Sequence, residues 1–317
     1  MRKPPFTFSV YVVILILTSK RKDGGGMTEE EKKKQQYALV VKSNDLIRKS
    51  RFALTLTEQR IVLYLISKIK PKDTELLEYD FDIREFCEVC GIDYYNNLSQ
   101  LKETIKSLRD KSTWITLPDG GETLVSWIEK PYLYRNSGNL KIRLDRDMMP
   151  YLLQLKENFT KYELIAILAL KSKFSLRLYE LFKSYEYLGK YEVSLEQLRK
   201  TMMLETEYPK TNDFKRYVID KALEEINTFT DLEIEYEVVK QGRFIVGFVF
   251  TIQKADNWDG EYHAAHLYLD GTIPSRHKQQ QRFKEYWREH KHEFEAQSAA
   301  EEIDPNQTSL FDDMGEV

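Results

Sequence analysis

The sequence predicts an α+β protein: two tandem winged helix-turn-helix domains followed by a partly disordered C-terminal tail. Three observations carry this. The order helix, strand, helix, turn, helix, hairpin occurs twice, the second copy about 112 residues after the first. Each copy closes with two alternating strands around a glycine-containing turn, as a wing requires. Finally, 317 residues with only two cysteines must fold on apolar cores, without disulfide staples.

In the first copy a helix is expected over Leu54–Ile69, where Ile61, Tyr64, Leu65 and Ile69 recur at helical spacing. Thr57 is the expected N-cap, with Arg60 where a capping box would place Glu or Gln. After Pro71 comes a short strand, Tyr79–Ile83, and a helix from Arg84 to Cys90 that Gly91 closes. The polar turn DYYNN leads into a helix beginning near Asn97, with Leu98, Leu101, Ile105 and Leu108 along one side. TWITL and TLVSWI, joined by Pro118-Asp119-Gly120-Gly121, form the first hairpin.

The second copy starts with a helix over 174–187, ending before Gly189, then a strand at Tyr191–Val193 and a helix from Ser194. Its longer helix, Phe214–Phe229, carries Phe214, Val218, Ala222, Ile226 and Phe229 on one side. Arg216, Tyr217, Asp220, Lys221 and Glu224 point away from that side. The strands LEIEYEVV and RFIVGFVFTI flank a turn at Lys240-Gln241-Gly242. The repeat is clearest where YDFDIREFCEVCGI (79–92) matches YEVSLEQLRKTMML (191–204) in pattern. These elements divide the chain into an extension (1–36), two domains (37–148 and 149–255) and a tail (256–317).

A net charge of −3 conceals unlike parts. Residues 1–36 hold 8 basic and 4 acidic side chains, 37–255 hold 34 and 33, and 256–317 hold 6 and 14. The acidity is a property of the tail and does not weigh against an anionic partner for the middle. No apolar run reaches the roughly 18 residues that span a bilayer. The apolar stretch 6–18 behind Arg2 and Lys3 is followed by no small-residue cleavage site. The codons for Lys-Asp-Gly-Gly-Gly ahead of Met27 can form a ribosome-binding site, which makes Met27 the expected start; a membrane anchor or an N-terminal strand is the alternative. The scarcity of cysteine fits a reducing, cytoplasmic setting.

A winged helix presents the first turn of its third helix to the major groove and its wing to flanking phosphates. In the second copy that turn supplies Lys210, Thr211, Asn212, Lys215 and Arg216, and the wing supplies Lys240 and Arg243. Arg can read guanine and Asn adenine, each through two hydrogen bonds. Two acids on the outer face of 214–229 confine contact to its beginning. The first copy offers Asn97, Gln100, Lys102 and Lys106, a less basic set suited to weaker DNA contacts or to a dimer interface.

Beyond these patterns, 37–254 resembles the iteron-binding, theta-type plasmid replication initiators. The resemblance covers about 218 of the 317 residues. It is carried by VVKSNDLIRKSRFALTLTEQRIVLYLISKI, FTKYELIAILALKSKFSLRLYELFKSY, EVSLEQLR, FKRYVIDKALEEIN and TDLEIEYEVVKQGRFIVGFVFTI. It implies binding to direct repeats in double-stranded origin DNA, help in opening the origin, and dimers that repress their own gene beside monomers that initiate. It further implies phosphate contacts from Lys171, Lys173, Ser175 and Arg177, with backbone N–H groups at that helix start. A transcriptional repressor on the same two domains is the alternative. In the acidic tail, Gln307-Thr308-Ser309-Leu310-Phe311 resembles the motif by which bacterial proteins dock on the polymerase sliding clamp, with Gln307, Ser309, Leu310 and Phe311 as its contacts. A basic, aromatic-bearing helix is expected over 276–296.

Enzymatic readings lack their residues. No phosphate-binding G-x-x-x-x-G-K-S/T loop occurs, so helicase work must be borrowed from a host initiator or helicase. All five histidines lie at 263–292, far from Tyr94-Tyr95, so a nicking site has no metal pair. Cys87 and Cys90 form a single CxxC on a helix, where zinc would need two further ligands. Neither a metal nor another cofactor is expected.

Overall fold

Residues 29–36, read above as part of an extension, form a capped helix, α1 (Glu29–Gln36). The Thr28 hydroxyl accepts from the Glu31 N–H while the Glu31 carboxylate accepts from the Thr28 N–H. The buried Gln36 side chain at its end donates to the Val89 carbonyl at 3.1 Å. The structure is a computed structural model describing residues 26–255 except Pro118 and 135–138, together with Ala265, Tyr268 and Leu269. The expected helix at 276–296 and the clamp motif at 307–311 lie outside the described residues.

Next come β1 (Leu39–Ser43), α2 (Asn44–Lys49), β2 (Ser50–Arg51) and α3 (Leu56–Ile66). Thr55 caps α3, not Thr57. Counted from Thr55, the residue three positions on is Glu58, which returns the hydrogen bond to the Thr55 N–H at 2.7 Å; Thr57 already lies inside the first turn. Then follow β3 (Tyr79–Asp82) and α4 (Ile83–Cys90), closed as expected by Gly91 at φ 62. The long helix α5 (Tyr94–Arg109) starts three residues before Asn97, because the Asp93 carboxylate caps it by accepting from the Asn96 N–H at 2.7 Å.

The first hairpin, β4 (Ser112–Thr116) and β5 (Glu122–Ser126), is followed by β6 (Tyr132–Leu133), β7 (Asn139–Ile142) and the short α6 (Met149–Leu152). Here the two halves stop being copies. The first wing pairs with β2, whereas β3 takes β7, with β6 beyond it. The second half runs β8 (Phe159–Glu163), α7 (Ile165–Leu168), α8 (Lys173–Tyr185), β9 (Lys190–Ser194) and α9 (Leu195–Thr201). Its third helix is composite: α10 (Thr211–Phe214), a π-helical turn over Lys215–Asp220, and α11 (Lys221–Phe229). The wider turn lets the adjacent Val218 and Ile219 both enter the core, along with Phe214, Ala222 and Ile226. The wing, β10 (Leu232–Gln241) and β11 (Phe244–Lys254), forms a three-stranded sheet in the order β10-β11-β9. Gly247 of β11 is required by space: a Cβ there would lie 2.8 Å from the Val193 carbonyl oxygen of β9.

One buried apolar cluster runs through both halves, and β1 pairs antiparallel with β8 across them, Val40 opposite Tyr162 and Lys42 opposite Thr160. Beside that ladder the Lys42 ammonium donates to Glu180 Oε1 at 2.7 Å, and the Tyr162 hydroxyl donates to the same oxygen at 2.7 Å. Arg60 of α3 donates to the carbonyls of Leu168 and Leu170, at 2.6 and 2.7 Å. These groups are all buried, so the contact between the halves is directional as well as apolar.

Glu58 ties the start of α3 to the end of α5. Besides closing its capping box, it accepts from the Lys111 ammonium at 2.8 Å and from the Ser107 hydroxyl at 2.9 Å. Burial alone would raise this carboxyl; the bonds from Lys111, the Thr55 N–H and Ser107 outweigh it and hold the group below its ordinary value. A depressed acid contributes stability that is whole above its unfolded pKa and is lost as pH falls through its folded pKa. Wild type should therefore exceed Glu58→Gln in urea-unfolding stability at neutral pH, and the gap should close in acid. A gap that stays constant with pH would contradict this role.

Cys87 and Cys90 are buried on α4, and burial pushes their thiols up to about 11 and about 12. Both are therefore protonated near neutrality, unlike reactive thiols.

Candidate nucleic-acid interface

The second half offers two candidate contact elements, the helix start at α10 and the wing. They are linked through the π-helical turn, where Asp220 accepts from the Tyr236 hydroxyl of β10. The preceding loop is pinned by Arg199 of α9, whose guanidinium donates to the carbonyls of Leu204, Glu207 and Tyr208 at 3.2, 2.8 and 2.7 Å. The same guanidinium lies 4.5 Å from the centre of the buried Phe214 ring, so one side chain sets both the loop and the helix start. On this base Lys210, Asn212 and Arg216 are exposed and Thr211 is half-buried. In the wing, Gly242 takes the left-handed conformation (φ 61) that a tight turn needs, leaving Lys240 and Arg243 exposed on either side. Among the described residues none of Lys210, Arg216, Lys240 and Arg243 is held in an ion pair.

Lys215 differs from these. Its ammonium lies 2.9 Å from Asp220 Oδ2 and 5.4 Å from the centre of the Tyr236 ring, while the Tyr236 hydroxyl also donates to Asp220. Tyr236 and Asp220 together hold the ammonium above its ordinary value. The cluster joins the π-helical turn to β10, so Lys215 is placed to orient helix and wing rather than to reach a base. The π-helical turn brings this about by altering the register between 215 and 220, which regular helical spacing does not reveal.

Around α8 the geometry corrects the reading in two ways. Ser175 is 0% exposed and Arg177 is 4% exposed, so neither presents itself to a phosphate. Arg177 instead donates to the Ser50 carbonyl at 2.8 Å and lies over the Phe52 ring, as part of the contact between halves. The backbone N–H groups of Lys171 and Ser172 both donate to Glu225 Oε2, at 2.9 and 3.1 Å. A carboxylate from α11 already fills the place expected for a phosphate. Lys171 and Lys173 remain exposed, with the Lys171 ammonium 4.3 Å from the Tyr268 ring centre.

In the first half Gln100 and Lys106 are exposed and Lys102 is partly so, but the Asn97 amide is spent on the Asp93 carbonyl at 2.7 Å. The first wing has chemistry opposite to the second. Its turn carries exposed Asp119, Glu122 at the start of β5 is paired with the Arg51 guanidinium, and the facing residues Trp114 and Leu124 are both exposed. Such a surface, whose neighbouring cation is already claimed, suits protein contact more than phosphate.

Three further residues border the candidate site: Arg199 and Phe244, which local patterns do not single out, and Tyr217, which spacing places on the outward side of 214–229 without a contact. Arg199 was hidden because its acceptors are backbone carbonyls, which have no residue signature. Tyr217 is exposed with the Arg216 guanidinium and Lys221 ammonium 5.4 and 5.3 Å from its ring centre. Phe244 stands in a strand whose alternate residues form the core, and only the length of the hairpin shows that it lies beyond that core.

The profile described as "Initiator Replication protein, WH1" matches residues 39–183, and that described as "Initiator Rep protein, WH2" matches 194–252. Together they span nearly two thirds of the chain. The chain belongs to the replication initiator family. The resemblance to plasmid replication initiators and the two winged-helix domains are thereby borne out. The initiator is 24% identical over 225 residues to a "Replication initiation protein" of Escherichia coli, covering 68% of this chain and 69% of that one. It is 28% identical over 146 residues to the "PI protein" of Escherichia coli, covering 40% of this chain and 48% of that one. Its fold is shared with the Pi initiator protein solved in complex with iteron DNA, at TM-score 0.59 and 22% identity, over 70% of this chain and 99% of that one. The first profile runs past the sequence-based division at 148/149. With β8 paired to β1 and α8 packed on α2, either division cuts one buried interface. None of the described helices is long and apolar enough to cross a membrane.

Proposed function

We propose that this initiator binds direct repeats in double-stranded plasmid origin DNA through its second winged helix, without catalysing a reaction itself. The observation that carries this is that Lys210, Asn212 and Arg216 are exposed at the start of the third helix and Lys240 and Arg243 at the wing tip. Arg216 and Asn212 read bases, while Lys210, Lys240 and Arg243, with Lys171 and Lys173, hold phosphates. Gln100, Lys102 and Lys106 of α5 add less specific contacts. The apolar pair Trp114 and Leu124, set beside acids, suits a second copy of the chain and hence a balance of dimer and monomer. With no nucleotide-binding loop in its sequence, the protein opens the origin by recruiting a host initiator or helicase. Gln307, Ser309, Leu310 and Phe311 dock the sliding clamp, and origin binding also represses its own gene.

The test is a salt titration with repeat-bearing and scrambled duplexes, using the full chain and a chain ending at Asn306. Both chains should prefer the repeat by a factor of about 10³–10⁷ at physiological salt. Only the full chain should bind the clamp. Equal affinity for the two duplexes would overturn sequence-specific binding, and clamp binding by the shortened chain would overturn the motif.

A further inference from the structure

The tip of the second wing carries more than phosphate-binding cations. Strand β9 pairs with β11 only from Gly247 to Thr251, so the ribbon bearing Phe244–Val246 continues past the third strand as two strands alone. A shift in register between Val239 and Lys240 adds local twist at the point where the ribbon leaves the sheet. Its charge changes at the same place. Glu233, Glu235 and Glu237 are exposed along the base of β10, whereas 240–246 (KQGRFIV) contains two cations and no acid. The base repels a polyanion and the tip attracts one.

Three apolar side chains are exposed on this basic tip: Val239 at 37%, Val246 at 36% and Phe244 at 64%. Phe244 has no hydroxyl or ring nitrogen with which to engage water. Its described cationic neighbour is Arg243, whose guanidinium lies 5.1 Å from the ring centre. An aromatic ring without a polar handle, held outside the core on a basic two-stranded ribbon, matches what minor-groove proteins use to part stacked bases. Duplex DNA is the occupant that fits: the cations answer phosphates on either side of the groove, and the ring answers the apolar faces of the bases.

We propose that Phe244 is a wedge that enters the minor groove beside the major-groove site of α10, parts one base step and bends the repeat. Arg243 and Lys240 hold the flanking phosphates while the ring is inserted. The proposal rests on the DNA-binding reading above and adds to it a residue that deforms DNA without reading its sequence. Pyrimidine–purine steps, which unstack most readily, would be favoured at the inserted position.

The experiment uses a duplex that the full-length chain enriches from a random pool, with 2-aminopurine at successive positions beside the enriched sequence and a dye pair at its ends. Saturating wild type should bend the duplex by roughly 20–90° and raise 2-aminopurine fluorescence at one step. Phe244→Ala should lose most of both signals; Phe244→Leu, still an apolar wedge, should restore a large part of them. Arg216→Ala should weaken binding yet leave the bend of the saturated complex intact. Two results would overturn the wedge alone: wild type that binds without bending or unstacking, or Phe244→Ala that keeps both signals. So would Phe244→Ala that keeps the bend but turns a dimer into a monomer in sedimentation, because the ring would then belong to a contact between copies. Failure of wild type to enrich any sequence would overturn the DNA-reading proposal itself.

Discussion

Lys42→Ala is expected to destabilise the protein by about 3–5 kcal/mol, a large part of a typical domain's stability. Lys42 is 2% exposed, and its ammonium meets Glu180, also buried, across the ladder of β1 and β8. Burial lowers the Lys42 pKa, and the Glu180 carboxylate opposes that by favouring the charged form. Removing the cation would leave Glu180 with the Tyr162 hydroxyl as its hydrogen-bond donor in a region closed to water. Most of the cost is that a buried carboxylate loses its ammonium hydrogen bond and keeps only the coupled Arg177 as a cationic neighbour. Arg177, also buried, is coupled to the same carboxylate, so Lys42→Met with Tyr162→Phe and Glu180→Leu would move the uncompensated charge onto that guanidinium and should not recover the loss. Urea unfolding of both variants checks this. A single variant within 1 kcal/mol of wild type, on the scale of an exposed pair, would show that the charge is not sequestered.

The largest functional effect is expected from replacing Lys210, Arg216, Lys240 and Arg243 together by Ala. Each cation that neutralises a phosphate releases counterions, so the slope of log K against log salt should become shallower by about 0.9 per lost contact. Arg216, if it reads a base, should in addition cost roughly 1–3 kcal/mol of discrimination. The combined variant should keep its fold, since all four side chains are exposed, but lose its preference for repeat over scrambled duplex. Lys215→Ala offers a contrast: with its ammonium committed to Asp220, it should alter the slope less than any of the four. Filter binding across a salt series separates these outcomes. A slope unchanged in the combined variant would remove the site from α10 and the second wing.

How far the site was legible depended on what each residue touches. The wing turn at Gly242 and the cap at Gly91 follow local rules and stand where spacing put them. The apolar side of 214–229, by contrast, also takes in Ile219 and Leu223 and leaves Phe229 half-buried, because a π-helical turn shifts its register. Thr55 caps α3 because a capping box depends on a reciprocal bond with Glu58, which Thr57, already inside the first turn, does not make. Arg177 reads as a phosphate ligand in sequence because a helix start with cations is what such a site needs. It is instead enclosed by Ser50 and Phe52, more than a hundred residues away in the chain. Glu225 could not be foreseen either, since its carboxylate reaches N–H groups more than fifty residues earlier.

By itself the sequence determined the two winged helices, their order, the exposed basic wing and the family. These depend on periodicity, turn chemistry and residue type within a few dozen residues. The tertiary structure alone decided which strand each wing pairs with, that the halves share one core, and which cations stay free. A cation is a ligand for DNA only if nothing nearer in space has claimed it. Lys42, Lys215 and Arg177 are claimed by a carboxylate, by another carboxylate and by a carbonyl. Arg216, Lys240 and Arg243 remain at the surface.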